Sequence, residues 1–197
     1  MESTEKILLH MCCAPCSVYT VGRLREKGFV PEGYFYNPNI HPYDEFKMRL
    51  KSARDFGEKA GMKIHEREEY GLREYLEEIV GEYEKPGRCA RCYRMRIKTA
   101  VDFAADRGFS KFTTTLLYSV HQYHEAIAGI SREYCAIKGI EFVYMDFRIG
   151  WRDGVIESKR MNLYRQKYCG CIFSEYERHE RKRAGKPWAE ARLRAEI

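Results

Sequence analysis

The sequence predicts an α/β domain built on a doubly wound, mostly parallel sheet, and three observations predict it. Short apolar runs alternate with stretches of helical periodicity, the connections between them are short, and 197 residues suffice for one hydrophobic core. A chain of this length buries roughly 65 to 70% of its unfolded surface, so it needs no disulfide scaffold.

Ile7, Leu8 and Leu9 form a buried-strand pattern that runs into a loop, His10 to Ser17, followed by a helix with Val18, Val21 and Leu24 on one face and Gly28 at its end. A second strand centres on Tyr34, Phe35 and Tyr36 and closes at Asn37-Pro38-Asn39, where Pro38 biases Asn37 away from helix. A long amphipathic helix spans Tyr43 to Ala60, stopped by Gly61. Lys63 to Glu66 reads as a third strand, and Leu72, Leu76, Ile79 and Val80 as a short helix. A helix over Cys89 to Arg107 ends at Gly108, a Thr- and Phe-rich strand covers Phe109 to Leu117, and a helix runs from His121 to Lys138. Ile140 to Phe147 is the clearest strand of all. Residues 1–174 read as one catalytic domain. Residues 175–197 read as a basic helical tail carrying Arg178, Arg181, Lys182 and Arg183. In such sheets ligands sit beyond the carboxyl ends of the strands where strand order reverses, which places the Cys12 to Cys16 loop in the site.

The composition, 44% hydrophobic and 32% charged, excludes a disordered or fibrous chain, and no apolar run approaches the roughly 18 residues of a membrane span. The first residues do not read as a secretory signal, which points to the cytoplasm. A formal charge of +6 permits a polyanionic partner without demonstrating one.

Seven of the eight cysteines fall in three groups: Cys12, Cys13 and Cys16; Cys89 and Cys92; Cys169 and Cys171. Cys135 stands alone and reads as an inert core thiol. In a reducing compartment, clustered cysteines mean metal or redox chemistry. Two Cys-x2-Cys pairs could hold a structural zinc in a non-catalytic RNA-binding module. Cys13 and Cys16, between a strand and a helix, could instead serve thiol-disulfide exchange, the helix N-terminus lowering the first thiol's pKa. An iron-sulfur cluster takes four thiolates from different segments and leaves three for a second metal or a redox pair, so it uses every clustered cysteine. Arg88, Arg91, Arg94, Arg96 and Lys98 offer five cations, with no acidic residue among them, to hold thiolates deprotonated.

Six segments resemble the QueH family of epoxyqueuosine reductases in order: 8–16 (LLHMCCAPC), 36–40 (YNPNI), 88–93 (RCARCY), 114–117 (TTLL), 146–148 (DFR) and 164–171 (YRQKYCGC). The resemblance covers about Ile7 to Ser174. It implies a fold like the adenine-nucleotide α-hydrolases (HUP-like), reduction of epoxyqueuosine to queuosine at the tRNA wobble position, a 4Fe-4S cluster and an additional iron. Ile149 stands where a basic residue is expected after Asp-Phe-Arg, and the tail lies outside the resemblance.

Turning an epoxide into an alkene and water takes two electrons and two protons, so the chemistry calls for a cluster and a donor partner that the sequence leaves unidentified. A metal with an open position would polarise the epoxide oxygen. Cys12, Cys13, Cys89 and Cys92 are the expected cluster ligands, with Cys13 and Cys16 as the alternative pair from the first loop. Cys16, Cys169 and Cys171 remain for the second iron, or Cys169 and Cys171 act as a catalytic redox pair. Substrate contacts are expected from Asn37, Asn39, Arg148, Trp151, Tyr164, Arg165 and Gln166. The six basic residues from Arg148 to Lys167, interleaved with Trp151 and Tyr164, suit an anticodon loop. Tyrosines, His10 and Asp146 are candidate proton donors. With no glycine in the Cys12 to Ser17 loop to cradle a pyrophosphate, an ATP requirement is not expected.

Overall fold

The computed structural model describes residues 5–183. Its five strands form one sheet in the order β3-β2-β1-β4-β5, and every pairing is parallel. These are β1 (Glu5–His10), β2 (Phe29–Phe35), β3 (Ile64–Glu66), β4 (Lys111–Thr114) and β5 (Glu141–Phe142). The central strand, β1, is apolar enough to be covered on both faces: Ile7, Leu8 and Leu9 are fully buried, each worth about 1.5–3 kcal/mol.

Seven helices cover the sheet: α1 (Ala14–Glu26), α2 (Tyr43–Ala60), α3 (Leu72–Ile79), α4 (Gly87–Asp106), α5 (His124–Lys138), α6 (Trp151–Arg160) and α7 (Ile172–Arg183). Helix α1 packs against α2 and α6, and α4 packs against α3 and α5. This is the doubly wound α/β architecture that the sequence predicts. Helix α2 ends where expected because Gly61, at φ +56, takes the left-handed conformation that closes a helix.

Two strands are shorter than the apolar runs suggested. After Thr114 the chain turns into a buried 3-10 segment, Thr115–Tyr118, because the Thr114 hydroxyl accepts the Leu116 N–H and redirects the backbone. Strand β5 keeps only Glu141 and Phe142. Val143 adds one further N–H bond to Phe112, and Asp146 then caps a second 3-10 segment, Phe147–Gly150, by accepting the Arg148 N–H. Apolar residues bury equally well in such turns, so the pattern alone overstates the strands. The expected boundary at residue 174 falls inside α7, where Glu177 pairs with Arg88. Residues 184–197 lie outside the described residues, as does any structural account of the Arg181, Lys182 and Arg183 side chains. No helix among the described residues is long and apolar enough to cross a membrane.

Strand order reverses between β1 and β4, where His10 stands beside Thr114. Both strands end at this edge, and the next residue of β1's loop but one is Cys12.

Candidate metal centre and substrate cavity

Cys12, Cys13 and Cys16 gather at the switch point, at the first turn of α1. Their sulfurs lie within 4.8 Å of one another, Cys12 to Cys13 at 3.8 Å and Cys13 to Cys16 at 2.8 Å. Cys13 is also the helix cap, its Sγ accepting the Cys16 N–H. The 3-10 segment that follows β4 holds the loop from the other side: Thr115 Oγ1 accepts the Cys12 N–H at 2.8 Å and donates to Cys12 Sγ at 3.1 Å. Hydrogen bonds from Cys13 and Cys16 bring the Cys12 thiol well below its usual range, with Arg96 and Thr115 adding to the effect. Burial pushes Cys13 up, and the bond to Cys12 pushes Cys16 up. Of the three thiols Cys12 is the one drawn down, while Cys13 and Cys16 are held up. The lowered first thiol that exchange through Cys13 and Cys16 would require is not at Cys13.

The other four thiols face the same space from two elements. Cys89 and Cys92 lie in the opening turns of α4, and Cys169 and Cys171 flank Gly170 just before α7. Cys92 and Cys171 pack together with Tyr75 and Ile79, and the Tyr75 hydroxyl lies 2.8 Å from Cys171 Sγ. Burial pushes Cys89 up to about 12, with the charge on Cys169 adding, and pushes Cys92 up to about 11 against the pull of Arg96. Cys169 is exposed, and a hydrogen bond from Cys171, helped by Ser174, draws it down to about 5. Cys171, at the other end of that bond, is pushed up.

Buried Arg49 clamps this loop. It pairs with Glu45 at 2.7 Å and donates to the carbonyls of Cys169 (2.9 Å) and Tyr168 (3.1 Å). The Gly170 carbonyl accepts the His41 N–H, and the Tyr168 hydroxyl donates to the His41 carbonyl. Gly170 is required because its φ of +123 lies where side-chain-bearing residues are strained.

Between the two thiol groups lies a cavity of about 930 Å³ with Cys12, Cys16, Cys89, Cys92, Cys169 and Cys171 in its wall. Cys13 lies just behind, where Gln166 Nε2 donates to its sulfur at 2.8 Å.

A family profile described as "Epoxyqueuosine reductase QueH" matches residues 7–177. The chain belongs to the QueH family. It is 36% identical over 173 residues to an epoxyqueuosine reductase QueH of Dehalococcoides mccartyi, covering 88% of this chain and 94% of that one. It is 35% identical over 188 residues to the Thermotoga maritima protein of the same name, covering 89% and 93%. Among solved structures, the fold resembles the U34-tRNA thiolase NcsA from Methanococcus maripaludis with its 4Fe-4S cluster. The TM-score is 0.57 at 15% identity, covering 88% of this chain and 62% of that one, a likeness of fold.

Within this QueH-family chain, the structure sorts the residues expected to bind substrate. Asn39, Arg148, Trp151, Arg165 and Gln166 line the cavity. Trp151 tilts against Tyr118 and meets His121 edge-on, with ring centroids 5.1 and 5.2 Å apart, forming one aromatic wall. Arg148 is chelated by Asp146 through two side-chain bonds of 2.8 and 2.6 Å.

Two residues do not reach the cavity. Asn37 is buried at the end of β2; its amide donates to the Met11 carbonyl at 2.8 Å and accepts from Arg96, so it braces the Cys12 loop. Tyr164 turns away and donates to Glu45.

The candidate proton donors separate similarly. His10 is fully buried, its Nε2–H donating to the Tyr36 carbonyl and its Nδ1 accepting from Thr114, and burial followed by the Arg96 charge lowers it to about 3. It is a neutral core histidine pinning three strand ends. Arg148 holds Asp146 down at about 2, so it stays ionised near neutral pH.

Of the five cations expected to face the thiols, only Arg88 and Arg96 are buried in the cavity wall. Arg91 bonds carbonyls of Glu78 and Val80, Arg94 pairs with Glu133, and Lys98 pairs with Asp102. Helical spacing explains this: Arg88, Cys92 and Arg96 follow one another at four-residue intervals on one face. That spacing was available in the sequence. The contributions of Tyr75, Arg49 and Thr115 were not, since each comes from an element remote in the chain.

Proposed function

We propose that the protein reduces epoxyqueuosine to queuosine at the wobble position of a tRNA anticodon loop. The carrying observation is that thiols from three distant stretches of a QueH-family chain converge on one cavity at the switch point of the sheet. The overall change breaks both carbon–oxygen bonds of the epoxide, forms a carbon–carbon double bond, and takes up two electrons and two protons to release water. A base extruded from a single-stranded loop fits a cavity of this size, and the aromatic wall of Tyr118, His121 and Trp151 offers it a stacking surface. Arg165, Lys167 and Arg178 in the cavity wall have no ion-pair partner among the described residues and suit the flanking phosphates.

The donor set fits a metal centre, since thiolates supplied by several segments and shielded from water are what such a centre requires. The reading places a 4Fe-4S cluster on Cys12, Cys13, Cys89 and Cys92. It is supported by Arg96, whose charge pulls down both Cys12 and Cys92. Cys169 and Cys171 are then a redox pair, the exposed low-pKa thiol beside a buried partner being the pattern of such pairs. A second partition has its own observation. The sulfurs of Cys12, Cys13 and Cys16 all lie within 4.8 Å of one another, which favours a single iron on these three and the cluster on the other four. Bound in this cavity, the cluster supplies one-electron transfer and an additional iron supplies Lewis acidity toward the epoxide oxygen.

With the thiols reduced and tRNA as substrate, the reaction belongs in the cytoplasm, fed by an electron-donor partner. The deciding experiment is anaerobic reconstitution with iron and sulfide, reaction with epoxyqueuosine-containing tRNA and dithionite, and nucleoside analysis. Queuosine is the expected product. Its absence with fully loaded protein, or equal activity after metal stripping, overturns the reading; a colourless zinc protein without activity would leave an RNA-binding module. Iron counts in the seven single Cys→Ser proteins separate the partitions: Cys171→Ser retains the cluster under the first and loses it under the second.

A further inference from the structure

Tyr75 has no part in the reaction as proposed, yet it touches two of the clustered thiols. It lies on α3, four positions before Ile79 on the same helix face, and is fully buried. Its ring tilts against His41, with centroids 5.2 Å apart, and packs with Cys92 of α4. Its hydroxyl lies 2.8 Å from Cys171 Sγ, on the loop before α7. A buried hydroxyl left unpaired costs about 1–3 kcal/mol, and this sulfur is the hydrogen-bond partner the Tyr75 hydroxyl has among the described residues. The loop is fixed on the same side by His41, whose N–H donates to the Gly170 carbonyl. Ring, loop and thiol are thereby held in one arrangement.

As a free thiol, Cys171 is able both to donate and to accept. A sulfur that carries charge or holds a metal has lost its proton, so in those states the hydroxyl is the donor. Such a bond strengthens as the sulfur becomes more negative and weakens in a disulfide, whose sulfurs carry no charge. It therefore stabilises the form that holds more electrons. We infer that Tyr75 is a positioning residue that keeps Cys171 beside Cys92 and raises the reduction potential of the couple to which Cys171 belongs. The inference rests on the proposed metal centre and goes beyond it by naming a residue that acts through one of its thiols. It applies under either partition. Under the first, the couple is the Cys169–Cys171 disulfide, whose S–S bond breaks as two electrons and two protons give two thiols. Under the second, it is the cluster bound by Cys171, which takes up one electron shared with the sulfurs.

Tyr75→Phe keeps the ring and removes the hydroxyl. Both couples are measured in the iron-loaded protein: the cluster by dye-mediated titration followed by visible absorption, and the thiol pair by equilibration with reduced and oxidised glutathione followed by mass spectrometry of the peptide carrying Cys169 and Cys171. The couple containing Cys171 is expected to become about tenfold harder to reduce, a shift of about 30 mV for a two-electron pair or about 60 mV for a one-electron cluster. Replacing Tyr75 by 3-fluorotyrosine keeps the shape and makes the hydroxyl a stronger donor, so it is expected to move the same couple the opposite way. Tyr70→Phe removes a neighbouring hydroxyl that bonds His41 Nδ1 at 2.9 Å, and it is expected to move neither couple. The inference is wrong if Tyr75→Phe leaves both couples at their wild-type values, if Tyr70→Phe shifts them as far, or if the phenylalanine and fluorotyrosine proteins shift in the same direction. Production of queuosine by the unaltered protein tests the function separately, so the two failures are distinguishable.

Discussion

At the scale of single residues, two buried charges report on how the site is held. Arg49→Met strands Glu45 in the interior and releases the carbonyls of Tyr168 and Cys169, so the protein is expected to lose about 3–5 kcal/mol of stability, measured by urea unfolding. Restored stability in the double variant Arg49→Met, Glu45→Leu would assign the loss to the stranded carboxylate. At the opposite edge of the sheet, burial opposes ionisation of Glu32, but hydrogen bonds from Lys6 and His65 and the charges of Lys6 and Lys63 prevail and hold it at about 2. A lowered carboxylate stabilises the fold above its unfolded value near 4.5, and the contribution is lost as pH falls toward 2. Allowing for the solvent around both lysines, Glu32→Gln is expected to cost about 2 kcal/mol at pH 7 and less than half as much at pH 3, by denaturation at each pH. That the clustered cysteines share one site was legible because thiols in tight groups have few other uses. The direction of Tyr164 was not: it follows from where Glu45 lies, 119 positions away in the chain.

At the scale of elements, the site depends on α6 lying close to α1. A methyl group on Gly150 would fall 2.0 Å from ring atoms of Tyr19 on α1, so Gly150→Ala is expected to displace the Tyr19 ring or the start of α6, which carries Trp151. The expected result is a loss of about 1–3 kcal/mol, read as a lower melting temperature, with weaker stem-loop binding. Helix α2 was readable to the residue because Tyr43 to Ala60 repeats cleanly and Gly61 marks its end. Strands β4 and β5 were overstated for a physical reason: Thr114 and Asp146 spend side-chain oxygens on the following backbone, ending the ladder while the sequence stays apolar. The two 3-10 segments that result carry Thr115 to Cys12 and Arg148 to the cavity, so the misread stretches are the ones that shape the candidate site.

At the scale of the molecule, a charge of +6 matters through its distribution: among the described residues Arg94, Lys98 and Arg148 are paired, whereas Arg165, Lys167 and Arg178 at the cavity have no ion-pair partner. Replacing all three by Ala is expected to lower the slope of log affinity for tRNA against log salt by about 2, at roughly 0.7 per phosphate contact on a single strand; an unchanged slope would place the phosphates elsewhere. The fold class and the edge that bears the site followed from alternating elements and the first cysteine loop. The cavity itself did not, because its wall draws on α3, α4, α6 and α7 at once. That spread along the chain also dictates a timetable. While the polypeptide is still being translated, five of the seven clustered cysteines emerge by residue 92, and the last two follow only after α6. The nascent chain therefore cannot bring all seven clustered thiols together until Cys171 has left the ribosome, so the cavity wall is completed by its last element.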